Sequence, residues 1–214
     1  MKRSIVRARR RAAMRKGGSG AGRERWTTEM RTKVGAVDRA VFDAVAGTPT
    51  PGLDRLLVGA SNAADHSRLW LLTAAVLAVL GGGPGRRAAR QGVLAIGVAS
   101  ALTHLCLKPL AGRGRPAPAD HRPALLSRWV RRPTSTSFPS GHAASAFAFA
   151  SALGVAEPVV RVPVLAAAVA VAYSRVHTGV HHLSDVVAGA AVGSLCGWGV
   201  RRLAGRPAPS VRAR

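Results

Sequence analysis

Apolar positions along this chain fall into blocks of two textures. From Val34 to Ala46 they recur at helical spacing, with Val34, Val37, Val41, Phe42 and Val45 on one side. Asp38, Arg39 and Asp43 occupy the rest of that stretch, and Thr48-Pro49-Thr50-Pro51-Gly52 breaks it. Leu53 to Ala64 predicts a second short helix, with Leu53, Leu56, Leu57 and Ala60 on one side and the charged Asp54 and Arg55 elsewhere. Two amphipathic helices of this kind are expected at the membrane interface or packed on a bundle, with one crossing among them as the alternative.

From Leu69 onward the texture changes. Leu69 to Gly82, Gly92 to Leu107, Ala143 to Val155, Val159 to Tyr173 and Leu183 to Leu203 are apolar almost throughout. A bilayer core takes about 20 apolar residues per helix, so several of these runs must borrow flanking residues or tilt. The pattern predicts an all-α, polytopic membrane helix bundle of five to six transmembrane helices preceded by short interfacial helices. Three regions follow: a basic tail over 1–33, a membrane domain over 34–205 and a second basic tail over 206–214. The first tail has no apolar period and cannot bury enough surface to fold alone. It is read as a solvated cytoplasmic segment against anionic lipid rather than a nucleic-acid arm, and no nucleic acid is expected as a partner.

Composition sharpens this picture. An apolar share of 48% coexists with a net charge of +23 because the two features occupy different parts of the chain. Cys106 and Cys196 each lie inside an apolar run, which favours free thiols over a disulfide. Arg86, Arg87, Arg90, Arg161 and the stretch from Arg201 to Arg214 share one side, which the positive-inside rule makes cytoplasmic. The Lys108–Pro139 segment and the Arg175–His181 turn then face outward. That second side is also rich in arginine, so the assignment holds only if the outer arginines serve a site.

Three polar clusters on that outer side have complementary chemistry. Lys108, Arg115 and Arg175 offer positive charge and planar donor forks suited to phosphate oxygens. Ser140-Gly141-His142 opens a helix, where free backbone N–H groups bind anions and His142 can donate a proton to a leaving oxygen. His181 and Asp185 are four apart, so on a helix the carboxylate can hold one ring nitrogen and leave the other to attack phosphorus.

The spacing of these clusters resembles the type 2 phosphatidic acid phosphatase (PAP2) family, which shares its site with vanadium haloperoxidases. That family carries Lys, six residues, Arg-Pro; then Pro-Ser-Gly-His; then Ser-Arg, five residues, His, three residues, Asp. Here these are Lys108 to Arg115-Pro116, Pro139 to His142, and Ser174-Arg175 to His181 and Asp185. The resemblance covers about Leu69 to Leu203. It implies metal-free hydrolysis through a phosphohistidine on His181, with Asp185 holding its other nitrogen and His142 first protonating the leaving group, then activating water. Lys108, Arg115, Arg175, Ser140 and the Gly141 amide would hold the phosphoryl oxygens, and no cofactor or metal is expected.

The substrate implied is a lipid phosphate or diphosphate. A prenyl-linked lipid comes first, since the short single-domain form and the Ala63–Trp70 segment look like small bacterial members acting on polyprenyl carriers or their phosphoribose adducts. Phosphatidate or phosphatidylglycerol phosphate remains an alternative. The expected location is a bacterial inner membrane, multi-pass, with the site facing outside. A phosphotransferase on the same scaffold, a haloperoxidase and a non-catalytic basic membrane protein are the competing readings.

Other candidates take structural readings. His182, three from Asp185, competes with His181 but lacks the family spacing, and a metal site from His177, His181 and His182 is disfavoured. His104 is expected to be hydrogen-bonded within the bundle, and His66 to cap the interface, with substrate contact as its alternative. Gly189, Gly193 and Gly197 predict close helix packing. Arg113, Arg122, Arg128, Arg131 and Arg132, with Trp129, are read as an interfacial lid or a solvated basic loop.

Overall fold

A computed structural model describes residues 28–116, 128, 130, 134–153 and 158–204. The chain divides into two compact units, Met1–Ala40 and Val41–Arg214. The described part of the first is helix from residue 28 to its end. That helix, α1 (28–47), starts inside the stretch expected to be tail, because Thr28 to Lys33 continues it with an exposed Glu29–Lys33 pair at 2.8 Å, four residues apart. The rest of both expected tails, the Glu157 turn and Arg122, Trp129, Arg131 and Arg132 lie outside the described residues.

The second unit continues with α2 (Pro51–Ala63), α3 (Arg68–Leu80) and α4 (Gly82–Ala111). After these come α5 (Gly141–Ala152), α6 (Pro158–His177) and α7 (Leu183–Ala204). Pro51 begins α2 at a position where a missing N–H costs nothing. A short 3₁₀ turn, Asp65–Ser67, joins α2 to α3 across a 61° bend. Near its end α4 widens into a π-helical stretch, Leu102–Leu107. Pro109 explains the widening, since it has no N–H to return to the Leu105 carbonyl. Gly112, left-handed at φ 57°, then stops the helix.

Leu72, Val79, Leu94, Leu105, Val162 and Leu195 are all exposed, as a helix surface facing lipid requires. By length and composition, three described helices can cross a bilayer: Gly82–Ala111, Val159–His177 and Leu183–Ala204. The bent pair Pro51–Ala63 and Asp65–Leu80 makes a fourth if it is one broken span. The apolar run from Ala143 forms the 12-residue α5, which is buried among its neighbouring helices.

α5 is the centre of the bundle. It packs on α4, α6 and α7, and Ala143, Ala146, Ala148, Phe149 and Ala152 have no exposed surface. Alanine gives α5 a thin waist, and glycine lets its partners close in. A Cβ on Gly189 would fall on the Ser140 carbonyl, one on Gly193 on the Ala144 carbonyl and one on Gly197 on the Ala148 carbonyl. One on Gly92 of α4 would fall on the Phe149 ring, which packs against Trp70 at 5.9 Å.

Charge also ties the first part of the second unit to its later helices. Arg128, predicted to sit in a solvated loop or lid, is buried instead. Its guanidinium donates to Asp54 at 2.9 Å and to the Val45 and Thr48 carbonyls at 2.8 and 2.6 Å. Asp54 also accepts from Thr50 and pairs with Nε2 of His177 at 2.8 Å, tying α2 to the end of α6. A buried arginine with this many acceptors has its desolvation offset.

Candidate active site

Chain direction gathers the site at one end of the bundle. The C-terminal ends of α4 and α6 and the N-terminal ends of α5 and α7 carry Lys108, Arg175, Ser140-Gly141-His142 and Asp185. These ends enclose a cavity of about 560 Å³ whose lining includes Asp65, His66, His104, Lys108, Arg115, Gly141, His142 and His181, with Ser140, Arg175 and Asp185 buried behind it. Residues more than 70 positions apart in sequence thus share one pocket.

His181 sits in the short turn between α6 and α7 and is 2% exposed, so its ring has little freedom. Its backbone N–H donates to the Arg175 carbonyl at 3.1 Å, as Val180 does at 3.2 Å, and Gly179 takes the left-handed φ of 67° that this tight return needs. Nε2 lies 3.2 Å from Nη1 of Arg115, which fixes it as the acceptor and puts the ring proton on Nδ1. Nδ1 faces Oδ2 of Asp185 at 3.5 Å, a looser pairing than a regular hydrogen bond. His182 lies equally near that oxygen, at 3.4 Å, but does not line the cavity. Distance to Asp185 therefore fails to separate the two histidines, whereas access to the pocket does.

Asp185 is wholly buried and held on both oxygens. Oδ2 accepts the His182 backbone N–H at 2.9 Å, and Oδ1 accepts Nη1 of Arg113 at 2.8 Å. The same Arg113 nitrogen donates to Ser184 at 2.6 Å. Sequence reasoning placed Arg113 in a loop or lid and missed this contact. The only available signal was its position between Lys108 and Arg115, two residues already assigned to the site.

Ser140 caps α5, its Oγ accepting from the Ala143 N–H at 3.5 Å, while its own N–H donates to the Asp185 carbonyl at 2.9 Å. Gly141 is packed close to His104, whose Nδ1 lies 3.0 Å from the Ser100 carbonyl, the hydrogen-bonded role expected of that histidine. His104 lines the cavity as well. Lys108 donates to Ser135 at 3.0 Å, and Arg115 spans the Ser135 carbonyl at 3.0 Å and the Val180 carbonyl at 2.9 Å. Arg175 donates to Ser61 of α2, and its Nε and Nη2 are buried with no acceptor among the described residues. A buried guanidinium with two idle donors is poised for an anion.

Burial pushes the His181 imidazole down from its usual range to about 4. The Asp185 pairing opposes that fall, and Arg115 and Arg175 add to it. His142 is likewise lowered to about 3, first by burial and then by Arg175, with Asp65 pulling it back. The nucleophile candidate is therefore a neutral imidazole across the physiological range. With p-nitrophenyl phosphate, whose leaving group needs no proton, and after rates are divided by the dianion fraction of the substrate, which ionises near pH 6, the acid limb of kcat/KM is expected near pH 4 rather than near 6.5. An acid limb that stays near pH 6.5 after this correction would refute a pre-neutralised His181.

A family profile for the PAP2 superfamily matches residues 89–207. The chain belongs to the PAP2 superfamily. It is 36% identical over 154 residues to the decaprenylphosphoryl-5-phosphoribose phosphatase of Mycobacterium tuberculosis, covering 69% of this chain and 78% of that protein. It is 30% identical over 203 residues to the lipid A 1-phosphatase of Rhizobium johnstonii, covering 84% and 81% of the two chains. Its fold matches the crystal structure of a transmembrane PAP2 type phosphatidylglycerolphosphate phosphatase from Bacillus subtilis, with a TM-score of 0.61 and 24% identity over 80% of this chain and 86% of that one. As a PAP2 superfamily member, the chain is a membrane phosphatase with an all-helical bundle fold.

Proposed function

We propose that this phosphatase hydrolyses a phosphate monoester on a polyprenyl-linked lipid, a phosphoribosyl-polyprenyl phosphate first among them. The observation that carries the reading is the buried Arg175 guanidinium, with two donors that lack an acceptor among the described residues, facing His142 of a pocket also lined by Lys108 and Arg115. Together these cations balance a phosphoryl dianion and its spreading charge in the transition state. The pocket sits at the helix ends, where a head group meets protein while its tails remain against the exposed apolar faces of the spans. The relatives named above act on lipid-borne phosphates, and the one with a phosphoribose-polyprenyl substrate supports the choice of lipid.

In the proposed cycle Nε2 of His181 attacks phosphorus and His142 protonates the departing oxygen. His142 then takes a proton from the water that releases phosphate from His181. Asp185 holds Nδ1 of His181, and Lys108, Arg115, Arg175, Ser140 and the Gly141 N–H hold the phosphoryl oxygens. The proposed setting is a bacterial inner membrane with the site facing outward. Arg161 and Arg201 line a separate small cavity with Trp198, and Arg202 stacks on that ring at 5.2 Å. They lie at the helix ends opposite the site, the arrangement the positive-inside rule associates with the cytoplasmic side.

Phosphate release from purified protein tests the substrate, with a chelator present throughout. The panel contains phosphoribosyl-polyprenyl phosphate, polyprenyl diphosphate, phosphatidylglycerol phosphate, phosphatidate and lipid A 1-phosphate. The first is expected to give the highest kcat/KM. Chelator-sensitive turnover, or preference for a glycerolipid, would overturn the reading.

A further inference from the structure

We propose that Asp65 is the positioning residue of the proton donor, holding the His142 ring and favouring its charged form, so that the bend between α2 and α3 supplies the acid half of the reaction. This rests on reading His142 as the donor. Oδ1 of Asp65 lies 2.8 Å from Nε2 of His142, at full hydrogen-bond distance.

The electrostatic setting makes the carboxylate necessary. His142 is faced by Arg175 from α6 and by His181 from the turn after it. Across the cavity stand Lys108 and His104 of α4, Arg115, and His66 from the bend itself. All of these are cationic or able to become so. Among the described residues lining the cavity, Asp65 is the sole carboxylate, since Asp185 lies behind His181. A donor must carry its proton when the substrate's bond breaks, and a cationic pocket works against that. The bound phosphoryl dianion supplies part of the missing negative charge, and Asp65 supplies the rest on the side of the ring it holds.

The backbone supports the assignment. His66 and Ser67 adopt left-handed conformations, φ 53° and 61°, which side chains other than glycine rarely take. Strain of this kind persists where the surroundings dictate it, and here it lines the pocket. The same broken helix also delivers Ser61 to Arg175. The end of α2 and the bend after it thus touch both Arg175 and the donor.

The step balances as follows. The P–N bond to Nε2 of His181 forms as the bond from phosphorus to the leaving oxygen breaks, and that oxygen takes the proton of the His142 imidazolium. The Asp65 carboxylate gains and loses none. A water then yields a proton to His142 as its oxygen displaces His181 from phosphorus.

Leaving-group dependence tests the proposal, because p-nitrophenolate departs without a proton and an alkoxide does not. In Asp65→Asn, turnover of the alkyl phosphate lipid is expected to fall about 100-fold, within the range of general acid catalysis. Its basic pH limb should move to lower pH, because His142 loses the carboxylate that raises it. The pre-steady-state burst of p-nitrophenolate from p-nitrophenyl phosphate should change less than about fivefold, since that ester needs no acid. Burst amplitude counts folded, competent sites in each preparation, so misfolding is separated from lost chemistry. Equal losses on both esters, or no loss on either, would overturn the role of Asp65. His142→Ala distinguishes the two levels: alkyl-selective loss there without one in Asp65→Asn removes only Asp65. Absence of selectivity in His142→Ala removes the donor reading beneath it.

Discussion

His181→Ala is expected to lower phosphate release by about 10⁴-fold, equivalent to roughly 5.4 kcal/mol of transition-state stabilisation. The magnitude follows from the proposed role. A nucleophile that forms a covalent intermediate leaves no parallel route when removed, and the remaining cations only bind and polarise the substrate. His182→Ala is the informative partner, because both rings approach the same Asp185 oxygen, at 3.5 and 3.4 Å. His182 is expected to be replaceable with less than about a tenfold loss, as for a residue outside the reacting atoms. Rapid quenching of the wild type with labelled substrate should trap an acid-labile phosphoryl group on residue 181. Label on residue 182, or substantial turnover by His181→Ala, would break the assignment.

The parts of this site legible in the sequence were those defined by short-range spacing. The four-residue spacing brings His181 near Asp185, although His181 sits in the turn before α7 rather than on that helix, and helix polarity puts Lys108, Gly141 and Arg175 at the same end. The parts that escaped depend on contacts between distant segments. Arg128 read as a lid or loop charge and Asp54 as a charge on an interfacial or bundle-packed helix, yet 74 positions apart they form a buried ion pair that also engages His177. Arg113 read as a loop charge, although it is the group that fixes Oδ1 of Asp185. His66, read as an interfacial cap with substrate contact as the alternative, lines the pocket in a left-handed conformation that sequence pattern does not announce.

The glycine row on α7 was legible as packing, and the structure gives it a sharper consequence. Gly193→Ala is expected to destabilise the protein by about 3 kcal/mol, the upper part of the usual overpacking range, because its Cβ would meet a backbone carbonyl and not a side chain that can turn away. α5 cannot retreat, since α4 and α6 enclose its other faces. Gly199→Ala, on the same helix with open space around it, is expected to be neutral or to gain up to about 1 kcal/mol from helix propensity. Gly189→Ala separates stability from catalysis. Its Cβ would strike the Ser140 carbonyl and displace the residue that begins the proposed phosphate-binding turn. Activity per folded molecule should therefore fall in Gly189→Ala but not in Gly199→Ala. Thermal unfolding in detergent alongside phosphate release measures both quantities. Equal stability of Gly193→Ala and Gly199→Ala would mean that α5 and α7 are not in backbone contact and that the pocket is assembled by some other means.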